Sequence, residues 1–251
     1  MAKLRWSLHH RGVMGSLRQA ASRLGEVNDP LPNPSMHPFD ALHSVDTGGL
    51  ITAPHLSHGH PHALEATAYC ATPPSRFAAL LEIWAKSPPE RPIDEYTFID
   101  IGCGKGRTLL MAAALPFREI IGIELDQGLV RIAENNLANF RNTGLALRPT
   151  RILCADAANF DLPASPSLIY LYNPFAAGVM EKLLDRVETS LNKNPRPLEI
   201  LYCNSLQAEV IALRPAFRTL WSGVAHLAEE DAEAEPCAAG EETSTLFRHG
   251  R

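Results

Sequence analysis

The chain has 251 residues, long enough to bury a sizeable core, with 45% hydrophobic and 20% charged residues, close to ordinary soluble proteins. A net charge of -5 gives no general reason to expect a nucleic-acid partner, and no apolar run approaches the roughly 20 residues of a membrane span. The five cysteines (Cys70, Cys103, Cys154, Cys203 and Cys237) are odd in number and form no CxxC pair; with no apolar signal core at the N-terminus, they read as thiols in a reducing cytoplasm.

Residues 1–25 carry Lys3, Arg5, Arg11, Arg18 and Arg23 and no acidic residue. Val13, Leu17, Ala20, Ala21 and Leu24 recur at helical spacing and predict a short amphipathic helix over 12–24. Its basic face reads as solvated rather than as a nucleic-acid contact. A proline-rich connector follows over 28–38, then Asp46-Thr-Gly-Gly, then His55, His58, His60 and His62. The histidines lack a neighbouring cysteine or carboxylate, and Pro54, Gly59 and Pro61 break up any helix or strand, so a polar loop is expected and no metal site. Phe77, Leu80, Leu81 and Trp84 predict a helix with Ser75 as N-cap, closed by Pro88, Pro89 and Pro92.

A β-branched and aromatic run, 97–101, then meets Gly102-Cys103-Gly104-Lys105-Gly106 and an apolar helix over 108–115. Strand, glycine turn and helix start form the receiving end for a nucleotide-type ligand. Gly102, Gly104 and Gly106 allow positive φ and a close backbone approach. Asp100, inside the strand, narrows the choice: a carboxylate is unfavourable beside a pyrophosphate but welcomes a cationic group. S-adenosylmethionine, with an ammonium and a sulfonium and no phosphate, fits that position.

Alternating elements continue. A strand over 119–125 ends in Glu124 and Asp126; Glu124 stands where a carboxylate can accept ribose hydroxyls, and Asp126 where it can cap the helix over 127–140. The strand over 151–157 ends in Asp156, an acceptor suited to an adenine amino group or to an Asx turn. A fourth strand, 167–172, leads into Asn173-Pro174-Phe175; a helix over 179–191 and a fifth strand over 198–204 follow. Segments 217–227 and 244–248 read as a closing antiparallel pair, and the acidic, alanine-rich stretch 229–242 between them as a mobile surface loop.

Asp100-Ile-Gly-Cys-Gly-Lys-Gly resembles the first motif of class I S-adenosylmethionine-dependent methyltransferases. Tyr69-x-x-Thr72-Pro73, a helix and then the glycine motif are similar to the Dot1-like and lysine-methyltransferase type, and the N-terminal part bears a general likeness to uncharacterised bacterial members with an Asp-Thr-Gly-Gly segment. The resemblance implies an α/β fold: a Rossmann-like, mostly parallel seven-stranded sheet with helices on both faces. An N-terminal cap would occupy residues 1–65, before a methyltransferase domain at 66–251. S-adenosylmethionine is the implied cofactor. Its site would comprise Gly102, Cys103, Gly104, Gly106, Asp100, Glu124, Leu125, Asp156 and Ala157, with Tyr69 as a lid residue; a packed core tyrosine is the other reading of Tyr69. Asn173-Pro174-Phe175 resembles, one proline short, the Asn-Pro-Pro-Phe/Tyr of amino-group methyltransferases. There the asparagine and a proline carbonyl orient the target nitrogen and the aromatic packs on it. N-methylation of a protein lysine or a small molecule is the leading expectation. A non-catalytic S-adenosylmethionine sensor and an NAD-binding oxidoreductase are the alternatives.

Overall fold

A computed structural model describes residues 36–56, 60–141 and 146–250. The helix expected over 12–24, and His58, lie outside the described residues. Seven strands form one sheet: β1 (Thr97–Ile101), β2 (Glu119–Glu124), β3 (Thr150–Cys154), β4 (Ser167–Tyr172), β5 (Leu198–Cys203), β6 (Phe217–Val224) and β7 (Thr243–His249). Their order is β3-β2-β1-β4-β5-β7-β6. The first five are parallel, and β7 runs antiparallel between β5 and β6. This is the Rossmann-like α/β sheet anticipated above, and its order reverses between β1 and β4.

Strands β1 and β5 are buried along their whole length, as near-continuous apolar runs require in a sheet covered on both faces. One face receives α2 (Pro74–Lys86), α3 (Arg107–Ala113) and α4 (Gln127–Arg141), with Trp84, Phe98, Phe117 and Phe140 in that core. The other receives α5 (Ala177–Lys193) and α6 (Ala208–Ala212), with Ile99, Leu171, Leu183 and Ile200. No helix among the described residues is long and apolar enough to cross a membrane.

Residues 36–72 wrap the carboxyl ends of these strands. They contain α1 (Pro38–His43) and 3-10 turns at Ala53–His55 and Pro61–Glu65. Tyr69 pairs with Ile51, and Ala66 with Phe175, in isolated bridges. Glu65 caps α5: its carbonyl accepts from Ala176 N (2.9 Å) and its Oε2 from Val179 N (3.2 Å). A carboxylate at this end complements the partial positive charge of a 17-residue helix.

Three expectations are corrected here. Segment 229–242 is no mobile loop: it forms α7 (Glu229–Ala234) and a 3-10 turn at Pro236–Ala238, and Asp231, Glu235 and Glu242 turn toward the protein while Glu229, Glu230, Glu233 and Glu241 stay exposed. Asp231 accepts from Ser75 N (2.6 Å), Glu235 pairs with Arg107 and Glu242 with Arg76. Ser75 therefore does not cap α2. Pro73 holds the N-cap position, and the Ser75 hydroxyl accepts from Ala228 N (2.9 Å). The cysteines are not all thiols either. Cys70 of the N-terminal wrap is joined to Cys237 of this strap by a disulfide, while Cys103, Cys154 and Cys203 are free.

Candidate active site

One pocket opens at the carboxyl ends of β1, β2, β3 and β4, beside the reversal of strand order where α/β sheets receive ligands. Asp100, Glu124 and Asp156, from three successive strand ends, all line it. So do Gly102, Cys103, Leu125, Ala157, Pro174, Phe175 and Tyr69. Gly104, Gly106 and Asn173 stand outside the lining.

Asp100 is buried at 3% exposure and accepts a hydrogen bond from the Thr108 hydroxyl on the first turn of α3. It joins no ion pair among the described residues. Burial pushes its carboxyl up to about 7; the Thr108 bond opposes this shift and the nearby Glu124 charge adds to it. A buried carboxylate with no counter-charge is costly unless a cation arrives. An α-ammonium group is a cation of the right kind.

Glu124 ties the glycine turn to β2. Its Oε2 accepts from Gly104 N (2.9 Å) and its Oε1 from Asp126 N (2.9 Å). Each oxygen keeps one lone pair for an outside donor, such as a ribose hydroxyl. Burial raises its pKa against these backbone bonds. Asp126 takes the capping role, accepting from Leu129 N (2.9 Å) at the start of α4. Asp156 has its Asx turn, with Oδ1 accepting from Ala158 N (3.0 Å), and it lines the pocket as well.

The glycine turn is fitted to the protein's own wrap. Gly104 has φ +53, and a Cβ there would run into the ring of Tyr69. Gly102 has φ +78, and its Cβ would lie 2.6 Å from that of Pro174. Tyr69 thus lies across the turn, and its hydroxyl donates to the Thr47 carbonyl. Asp46-Thr47-Gly48-Gly49 docks on the same corner: Lys105 Nζ reaches Asp46 Oδ1 (2.9 Å) and the Gly48 carbonyl (2.8 Å). Arg107 Nε donates to Thr47 Oγ1 (2.6 Å).

On the β4 side, Phe175 is buried in the pocket wall. Asn173 sits at φ +40, and its Oδ1 accepts from the Tyr202 hydroxyl (3.2 Å). The Asn173 carbonyl accepts from the Thr67 hydroxyl, and the Pro174 carbonyl from Thr67 N (3.1 Å). Each of the groups expected to meet a target nitrogen therefore already holds one internal bond. Tyr172, also in the lining, donates to Glu242 (3.0 Å).

Residues 98–194 match a family model described as a methyltransferase domain. The chain carries a class I S-adenosylmethionine-dependent methyltransferase domain. It is an enzyme whose methyl donor is S-adenosylmethionine. Among solved structures it is similar to a ribosomal protein L11 methylase from Lactobacillus delbrueckii subsp. bulgaricus, at 14% identity over 69% of this chain and 78% of that one (TM-score 0.45). An rRNA methylase from Streptococcus thermophilus shares 13% identity over 72% of this chain and 99% of its own (TM-score 0.43). The 23S rRNA methyltransferase ErmE shares 12% over 68% and 67% (TM-score 0.43). No curated protein matches the chain.

The methyltransferase site contains side chains that local sequence patterning did not single out. Thr108 holds Asp100, Arg107 anchors the wrap, and His62 reaches Asp156. A signal existed for Arg107 alone: an arginine opening an apolar helix requires a buried counter-charge. Cys70, Glu235 and Cys237 bring together three side chains of metal-ligating type. Their sulfurs are bonded to each other, and Glu235 is bonded to Arg107.

Proposed function

We propose that this methyltransferase acts on an amino nitrogen, of a protein lysine or a small molecule. In this reading the cap drawn from residues 1–65 closes over the domain at 66–251, and the reaction takes place in the cytoplasm. The observation that carries the cofactor assignment is the row of Asp100, Glu124 and Asp156 along one pocket. Asp100 would hold the ammonium, Glu124 the ribose hydroxyls and Asp156 the adenine amino group, with Tyr69 over the methionine end. When bound, S-adenosylmethionine supplies an electrophilic methyl on its sulfonium.

The acceptor assignment rests on the end of β4. An amide oxygen has two lone pairs, and the Tyr202 hydroxyl uses one of those on Asn173. The second would take a hydrogen from the acceptor nitrogen and turn its lone pair toward the methyl, with Phe175 as the packing wall. Transfer then depends mostly on proximity and orientation, and needs no dedicated base in this wall.

Methyl-labelled S-adenosylmethionine with cell extract tests the acceptor. Base-stable label in a lysine or a small amine supports the nitrogen assignment, and label on oxygen or carbon overturns it.

A further inference from the structure

His62 is the one member of the histidine-rich stretch that lines the cofactor pocket among the described residues. His55 is bonded to Thr52 Oγ1 (2.9 Å), and His60 Nδ1 accepts from His62 N (3.1 Å). The His62 ring bridges two parts of the methyltransferase domain. Its Nδ1 lies 3.0 Å from Asp156 Oδ2, and its Nε2 lies 2.7 Å from Lys182 Nζ on α5. A lysine ammonium has only hydrogens to give, so Nε2 is the acceptor there. The ring proton therefore sits on Nδ1, which donates to Asp156.

That assignment accounts for the lone pairs of Asp156. Oδ2 accepts from His62 and from Asn159 Nδ2 (2.8 Å), and Oδ1 accepts from Ala158 N (3.0 Å). Two oxygens offer about four acceptor positions, so one is left, on Oδ1. Burial works to raise the Asp156 pKa, but the Ala158 N–H and His62 outweigh it and hold the carboxyl below its ordinary value. A carboxylate surrounded by donors has no hydrogen of its own to offer a ligand.

We propose that His62 is a positioning residue for base recognition, acting through Lys182 and Asp156 to present one acceptor lone pair that selects a 6-amino purine and rejects a 6-oxo purine. This rests on the reading of Asp156 as the adenine contact. A 6-oxo base would set its own oxygen against the Asp156 carboxylate, leaving two acceptors facing each other with no proton between them. The same ring closes the pocket from the wrap, so base recognition and closure share one side chain. Lys182 stands outside the lining and acts on the base only through His62.

The test is calorimetry with S-adenosylhomocysteine and its deaminated analogue, S-inosylhomocysteine, on the full chain. The wild type is expected to prefer the amino form by roughly a hundredfold. His62→Ala should lower affinity for S-adenosylhomocysteine about tenfold and shrink the preference about tenfold, on the scale of a lost bond to a charged group. His62→Asn, which returns an N–H near the Nδ1 position, should restore most of the preference. Lys182→Met should give an intermediate loss. A purely structural role would shift thermal stability and leave the amino-over-oxo ratio unchanged in all three variants, and that result overturns the proposal. If His62→Ala does not fold, His62→Asn and Lys182→Met decide it by the same ratio. Wild type that binds S-adenosylhomocysteine without preferring it over the inosine form overturns the Asp156 assignment too. Wild type that binds neither overturns the whole pocket.

Discussion

Arg107 and Glu235 lie 128 residues apart in sequence and form a buried ion pair, Nη1 to Oε2, of 2.9 Å. Each side chain is at most 3% exposed. The same guanidinium approaches Asp40 at 3.6 Å and donates to Thr47, so one side chain gathers the N-terminal wrap, the strap around Glu235 and the glycine corner. Truncating one partner leaves a buried charge uncompensated. Arg107→Met should therefore cost about 3–5 kcal/mol of stability in urea unfolding. A loss within 1 kcal/mol would show that the pair only breaks even with its desolvation.

Gly104 answers to two constraints. Its positive φ costs a residue with a side chain roughly 1–2 kcal/mol, and the Tyr69 ring fills the space a Cβ needs. Gly104→Val is expected to abolish S-adenosylhomocysteine binding by displacing Tyr69. Gly104→Ala combined with Tyr69→Ala should recover folding better than Gly104→Ala alone, because the steric half of the problem is gone. Identical melting temperatures for those two variants would place the fault entirely in the backbone.

Asp100 predicts a pH profile. Its folded pKa, pushed up to about 7 by burial, exceeds the unfolded value of 3.8. The stability it contributes to the ligand-free protein is thus fully present below about pH 4 and lost as pH rises through 7. Cofactor binding runs the other way, since the ammonium calls for the ionised form. Affinity for S-adenosylhomocysteine should strengthen from pH 6 to 8, by up to about tenfold per unit below 7. Asp100→Asn should bind weakly and flatten the profile, as read by calorimetry in buffers of matched ionic strength.

Asn173 separates turnover from binding. Asn173→Ala should leave cofactor affinity nearly intact and lower kcat/KM for the acceptor about a hundredfold. Tyr202→Phe removes only the hydroxyl that steadies Asn173 Oδ1, so its loss should be smaller, roughly threefold to tenfold. Steady-state kinetics at saturating cofactor distinguishes them. An unchanged rate in Asn173→Ala would remove it from the reaction.

The Cys70–Cys237 disulfide joins residues 167 apart. On chain-entropy grounds such a link is worth at most about 5 kcal/mol. Thermal unfolding with and without a reductant should show a lower melting temperature in the reduced form, and Cys237→Ser should match the reduced protein and ignore the reductant. Equal melting curves for oxidised and reduced wild type would mean that Arg107, Glu235 and Asp40 of α1 hold the strap unaided.

How far the chain could be read from its letters depended on which force held each part. Strands β1 and β4 have the bounds their apolar runs suggested, and α5 extends two residues beyond the expected helix at each end. Burial of alternating or continuous apolar residues leaves a periodic trace. Ion pairs between distant segments do not. Glu235 and Glu242 sit among alanines and acids that read as solvated, yet their partners, Arg107 and Arg76, are fully buried at helix starts far upstream. Asp126 revealed itself because a cap is local; the bond from His62 to Asp156 spans 94 positions and shows no sequence spacing at all. The acidic row Asp100, Glu124 and Asp156 was legible because each member stands at or beside the carboxyl end of an apolar strand. The internal bonds on Asn173 and Pro174 were not, since Thr67 comes from the wrap.

Placing β7 between β5 and β6 has a consequence for synthesis. A nascent chain that has emerged only as far as β6 lacks the strand that joins β6 to the sheet. When the chain has emerged only as far as Glu235, Arg107 can already meet it, yet Arg76 still awaits Glu242, which directly precedes β7. The wrap can therefore settle over the pocket only after β7 has paired with β5. Cofactor loading should then wait until the last strand has joined the sheet.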